Sequence, residues 1–461
     1  MRALEKRLAP FAVAVFALAG CGANPTGTPV APNGALGTTA VRANGLAPKG
    51  AVRRNSAQES TLYNFLGAPD GGLADSALVA DSGGNFYGTT FTGGDLNCGE
   101  SDYPGCGTIF KLTPSPSGGY TESVVWTFEQ GQGVNPVSVI VDASGNLYGV
   151  TQHTSQDGDA GGTVFKLTPG PSGYSFTLLH TFTGGTDGAY PAGTLALDKG
   201  GDVYGTTLYG GNGSCVGFEF PSGCGTAFEV TLSKGTYTYK QIHAFQGGTD
   251  GAFPTGAILY SQLQDAVIGT TAGYVDGEPS QSTGNVYALT AENNGSFFNQ
   301  VRYSFGRGVD FPYGGVIQDA QGDLFGTAIG GGSHAGLGGV YELKPYKRTY
   351  KFSVLYTFKS AAKTGAYPSS GVIEDSHGNL FGTTPIDHQS HFSPGTVFEL
   401  SPVGKKYAYT ELYDFPTEVG GFDPNAVTLG PDGNLYGTTF QGGSTYQNSL
   451  NGYGVVFEIA L

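Results

Sequence analysis

The chain has 461 residues; only 13% are charged, while 79 are glycine, 27 tyrosine and 29 phenylalanine. Its formal charge of −15 is the opposite of the basic footprint that nucleic-acid binding needs, so nucleic acid is excluded as a partner. Regularly spaced aromatics argue against disorder, and abundant Gly, Thr, Tyr and Phe suit short strands joined by tight turns.

Residues 1–20 read as a secretion signal. Arg2, Lys6 and Arg7 supply a positive start, and Leu8 to Gly20 is apolar or small. That stretch is shorter than the roughly 20 residues a spanning helix requires. It ends in Leu18-Ala19-Gly20-Cys21, which resembles a bacterial lipobox. The resemblance implies that Cys21 is lipidated and begins the mature chain, with Gly22 behind it favouring the outer membrane. Residues 21–58 are rich in Ala, Gly, Pro and Thr and bury too little apolar surface to fold, so a flexible tether is expected.

Residues 59–461 are a repeat. The phrase Asn85-Phe86-Tyr87-Gly88-Thr89-Thr90 returns around Gly149, Gly205, Gly269, Gly326, Gly382 and Gly437. The spacings of 61, 56, 64, 57, 56 and 55 residues define seven units. Each unit holds four strand-like pieces, which in the third are 177–182, 194–197, 203–207 and 226–230, separated by glycine and aspartate turns. The first piece ends in an aromatic, as at Phe65, Phe128 and Phe182, and the last carries one, as at Phe110, Phe165 and Phe228. One large aromatic at a fixed place per unit is what stacked sheets need between them. Four antiparallel strands repeated seven times predict an all-β, seven-bladed β-propeller. The region opens on the aromatic-ended piece and closes on the other three. If the Leu195-type strand is innermost, the N-terminal strand therefore completes the last blade and seals the ring. A monomer is expected.

The phrase Gly-Asn-Leu-Tyr-Gly-Thr-Thr, with Gly-Thr-Val-Phe-Lys-Leu downstream, resembles the GloVer tandem repeat of bacterial surface-anchored proteins. The likeness runs over residues 59–461, although the fourth unit departs from it at Asp265-Ala266-Val267-Ile268-Gly269-Thr270-Thr271. It implies a propeller-like, envelope-anchored protein at the outer membrane or cell surface and carries no settled activity.

Chemistry-bearing residues are few. Cys98 and Cys106 share one enlarged loop of unit one, and Cys215 and Cys224 share its counterpart in unit three. A disulfide within each loop is the expectation, each constraining the unfolded chain by roughly 2–3 kcal/mol. His153, His334, His388 and His391 follow the Gly-Thr-Thr strands, and His388 and His391 with Asp387 are candidates for a base or a metal site. Asp70, Asp187 and Asp250 precede glycine in turns, and Asp310 stands close to the same place. Around a central mouth such carboxylates could hold Ca²⁺, although Asp-Gly is also ordinary turn chemistry and units two, six and seven lack the acid. No cofactor is otherwise predicted. No nucleophile elbow, phosphate loop or dinucleotide fingerprint is present. The expectation is a lipid-anchored extracytoplasmic scaffold that binds a protein or glycan. The alternatives are a lyase or hydrolase acting on a polysaccharide or lactone, or a purely structural envelope protein.

Overall fold

The computed structural model describes residues 57–461, apart from 101–102, 156–160, 216–222, 274–283, 307, 333–335, 348, 360–363, 386–394, 417–420 and 445–451. Seven sheets of antiparallel strands form the seven blades of a β-propeller. Blade 3 runs outward through Ala189–Leu197, Val203–Tyr209, Thr226–Ser233 and Thr236–Ala244. In blade 7 the second and third strands are Leu435–Gln441 and Val455–Ala460, and the outer strand is the N-terminal Gln58–Asn64. Gln58 pairs with Ala460 and Asn64 with Val455, so the first strand of the chain closes the ring against the last.

The repeated phrase is explained by packing. Its glycine lies opposite the third-strand aromatic in every blade, as in Gly88↔Phe110, Gly205↔Phe228 and Gly437↔Phe457. A β-carbon on Gly205 would stand 2.2 Å from the tip of the Phe228 ring, so only glycine leaves room for that ring to lie across the ladder. The ring then meets the aromatic that ends the preceding blade's outer strand. Phe65–Phe110, Phe182–Phe228 and Phe415–Phe457 are edge-on pairs with centroids 5.0, 5.3 and 5.0 Å apart. The same pair recurs at the other four junctions. Each contributes roughly 0.5–1.5 kcal/mol beyond the area it buries.

The two threonines divide the work. The second braces its own blade, as where the Thr207 and Thr226 hydroxyls meet at 2.8 Å. The first donates to a carbonyl of the next blade's inner strand at four junctions. These bonds are Thr270 to Gly314, Thr327 to Ser370, Thr383 to Asn425 and, across the closure, Thr438 to Ser76, at 3.0, 2.6, 3.0 and 2.8 Å. They draw the inner strands together around the axis.

Candidate functional site at the axial mouth

Each inner strand begins with one non-glycine residue in the left-handed region. They are Leu73, Asn135, Tyr190, Phe253, Phe311, Tyr367 and Asp423, with φ between 54° and 59°. Such a conformation costs an L-residue roughly 1–2 kcal/mol, so the surroundings must hold it. The preceding blade does so. The backbone N–H of Asn135 donates to the Cys106 carbonyl at 3.0 Å, that of Phe253 to Cys224 at 2.9 Å, and that of Tyr190 to Gly161 at 2.9 Å. A proline follows the left-handed residue in six blades and packs on a glycine of the blade before. A β-carbon on Gly162 would stand 2.3 Å from Pro191. The backbone around the mouth is therefore the same seven times, while the side chains it presents differ.

Among the described residues, those differences bring polar groups together on the axis. Asp75 stands two residues after the left-handed Leu73 of blade 1, and Asp423 is the left-handed residue of blade 7. Neither carboxylate takes a hydrogen bond from a described residue. Burial pushes the Asp75 carboxyl up to about 8, aided by the charge of Asp423. Burial also raises Asp423, to about 6. Its side chain is open to water within the ring of blades, and that contact damps the shift. Tyr313, in blade 5, is buried, and its hydroxyl is pushed up by desolvation, then by Tyr209 of blade 3 and Asp75 of blade 1. Blades 1, 3 and 5 are not neighbours, so groups from them can act on one another only across the axis. Aromatic rings continue around this side: Tyr209 stands edge-on between Tyr190 and Phe253, 5.6 Å from each. The mouth thus offers two unpartnered carboxylates facing a tyrosine-lined wall.

The turn carboxylates are used elsewhere. Asp70 accepts from the Tyr63 hydroxyl at 2.6 Å and the Leu66 N–H at 3.2 Å. Asp187 meets His180 at 3.2 Å and accepts from the Thr183 N–H at 3.0 Å. Asp250 meets His243 at 3.1 Å and accepts from Asn299 at 2.7 Å. Asp310 lies in the short strand Val309–Asp310, paired with Gly330–Gly331, and burial raises its carboxyl. Asp70, Asp187 and Asp250 each bind the outer strand of the preceding blade. The structure therefore ties these acids to separate blade junctions. Among the described residues, no three His, Cys, Asp or Glu side chains gather as a metal site. His153 is buried, edge-on to Tyr190 at 5.0 Å. His334, Asp387, His388 and His391 lie outside the described residues.

Cys98 is bonded to Cys106 and Cys215 to Cys224. Both disulfides sit at the junctions that hold the mouth, since the Cys106 and Cys224 carbonyls accept from Asn135 and Phe253. They also mark an extracytoplasmic compartment. The axial residues Asp75, Asp423, Tyr209 and Tyr313 escape a reading based on recurrence because they break it. The signal available was a departure at two nearby registers: Asp423 stands where unit three has Tyr190, and Asp75 where unit three has Ala192.

Among solved structures, a protein from Bacteroides uniformis assigned as a 6-phosphogluconolactonase is 15% identical, covering 77% of this chain and 89% of its own, with a TM-score of 0.50. A protein of unknown function from Dyadobacter fermentans is 9% identical over 88% of this chain and 99% of its own, with a TM-score of 0.45. An ancestral GH74 enzyme is 11% identical over 85% of this chain and 51% of its own, with a TM-score of 0.47. These likenesses concern the fold alone. No curated protein matches the chain. The family model for the Gloeobacter/Verrucomicrobia repeat matches residues 10–218 and 260–461, and the chain belongs to that repeat family.

Proposed function

We propose that the protein is an extracytoplasmic binding propeller, carried on a lipid anchor at Cys21, whose axial mouth takes a glycan. Support comes from the Asp75 carboxyl, which takes no hydrogen bond from a described residue and acts on Asp423 and Tyr313 from two other blades, Tyr313 in turn standing by Tyr209 of a third. Ionised Asp423 accepts hydrogen bonds, and Asp75, raised to about 8, carries a proton at neutral pH and can donate as well as accept, so the pair suits a ligand with hydroxyls, as sugars have. Tyrosine rings supply an apolar face for the ligand, with polar groups fixing its orientation. The test is a glycan array with the full chain, followed by calorimetry with any hit. Asp75→Asn and Tyr313→Phe should each weaken binding about tenfold or more. Unchanged affinity in both variants would remove the axial mouth as the site.

A second reading rests on the same pair. Asp75 is pushed to about 8 and Asp423 to about 6, so at pH 7 one is protonated and the other largely ionised. Such a split suits a general acid beside a base, as in hydrolysis of a glycosidic bond. Turnover of chromogenic glycosides or lactones that both Asp75→Asn and Asp423→Asn abolish would favour hydrolysis. Binding without turnover would favour the scaffold.

A further inference from the structure

We propose that Tyr63, Asp70 and Glu122 form a proton-operated clasp on the seam where the N-terminal strand closes the ring. Tyr63 lies on that strand, Asp70 on the link into blade 1, and Glu122 on the outer strand of blade 1, Tyr120–Thr127.

Hydrogen-bond bookkeeping carries the inference. The Tyr63 hydroxyl donates to Asp70 Oδ2 at 2.6 Å, and Glu122 stands beside both groups. The Leu66 N–H donates to the same Oδ2 at 3.2 Å, so both donors are spent on one oxygen of the pair. Asp70 is only 9% exposed, its Oδ1 has no partner, and the buried Oε1 of Glu122 has none either. With both acids ionised, two like charges and two orphaned oxygens share a largely dry junction, a costly state. One proton on Glu122 removes a charge and supplies the missing donor.

Among the equivalent junctions, Asp310 also carries an orphaned buried Oδ1, but no second described acid shares its junction. Asp187 meets His180, and Asp250 meets His243 and the Asn299 amide, so each acid has a donor of its own. Trp126–Phe176, Tyr303–Phe352 and Tyr356–Tyr409 are neutral stacks with centroids 5.6, 4.5 and 4.6 Å apart. Tyr413 donates to a single acid, Glu59, at 3.3 Å. Among the described residues, two acids meet at these junctions only at the closing seam.

The titratable groups bearing on Glu122 are Asp70 and Tyr63, and no basic side chain among the described residues offsets them. Burial first, then the Asp70 charge, pushes Glu122 up to about 7 from the ordinary 4.5. Because the folded value lies above the unfolded one, this contribution to stability is complete at low pH. It is lost as pH rises toward about 7. Falling pH fastens the N-terminal strand to blade 1, and rising pH loosens it.

The test is urea unfolding of the full chain at pH 5 and pH 8 as wild type, Glu122→Gln and Asp70→Asn, with amide exchange of residues 58–64 followed alongside. Replacing Glu122 should reduce the change in unfolding equilibrium constant between the two pH values by about tenfold or more. It should also protect residues 58–64 at pH 8. If Glu122→Gln fails to fold, Asp70→Asn gives the same test, because the amide supplies a donor to Glu122. A pH dependence identical in wild type and the folded variants would overturn the clasp. So would stabilisation by added Ca²⁺ at pH 8 that requires Glu122, since the pair would then hold a metal in place of a proton.

Discussion

Tyr341 lies opposite Gly326 in blade 5, and its fully buried hydroxyl has no hydrogen-bond partner among the described residues. Tyr287 stands in the same relation to Gly269 in blade 4. The other five blades carry phenylalanine there. An orphaned buried hydroxyl costs roughly 1–3 kcal/mol, and removing it leaves the ring packing intact. Tyr287→Phe and Tyr341→Phe should therefore each stabilise the protein by about 1 kcal/mol. A fall in melting temperature for both would mean that the hydroxyls have partners after all.

The glycine of the repeated phrase should resist even alanine. At Gly205 a β-carbon would clash with the Phe228 ring at 2.2 Å, and overpacking of this kind costs roughly 1–3 kcal/mol. Gly205→Ala should lower stability by about that amount. The double variant Gly205→Ala with Phe228→Leu should recover part of the loss, which a double-mutant cycle would measure.

Two threonines at the same place in the phrase should behave differently. Thr327 donates to the Ser370 carbonyl of the next blade at 2.6 Å, so Thr327→Val should cost about 1 kcal/mol. The buried Thr89 hydroxyl has no partner, and unit two already has Val150 at that register. Thr89→Val should be neutral or slightly stabilising. Equal losses in chemical denaturation would contradict the division of labour.

The axial acids should give stability a falling pH profile. Asp75 rises to about 8 in the folded chain from 3.8, so folding favours its protonated form. Stability then declines as pH rises from about 4 toward 8. Asp75→Asn should flatten that decline in melts between pH 4 and pH 8, and an unaltered profile would place Asp75 outside the dry part of the mouth.

The propeller was legible because its rules recur. The Gly205–Phe228 crossing and the Phe182–Phe228 pair each appear seven times, so self-comparison of one sequence finds them. The closure was legible too, from the order of the pieces at the two ends, and Gln58↔Ala460 realises it. The axial site was not, for the converse physical reason. Recurrent acids such as Asp187 and Asp250 tie one blade to the next. Asp75 and Asp423 break the pattern, and the strained backbone there is shared by all seven blades whatever side chain it carries. In a repeat protein the common residues build the frame, and exceptions at a common position are where a ligand site belongs.

Gln58 opens the first strand described, and its partner Ala460 lies in the last, Val455–Ala460. The earliest strand must therefore wait, unpaired, through the synthesis of every blade. A chain stalled or cut before residue 455 keeps an open ring with a bare strand edge in blade 7, the kind of edge that recruits other chains. Synthesis of the strand Val455–Ala460 thus acts as a checkpoint on whether the strand Gln58–Asn64 ever finds its place.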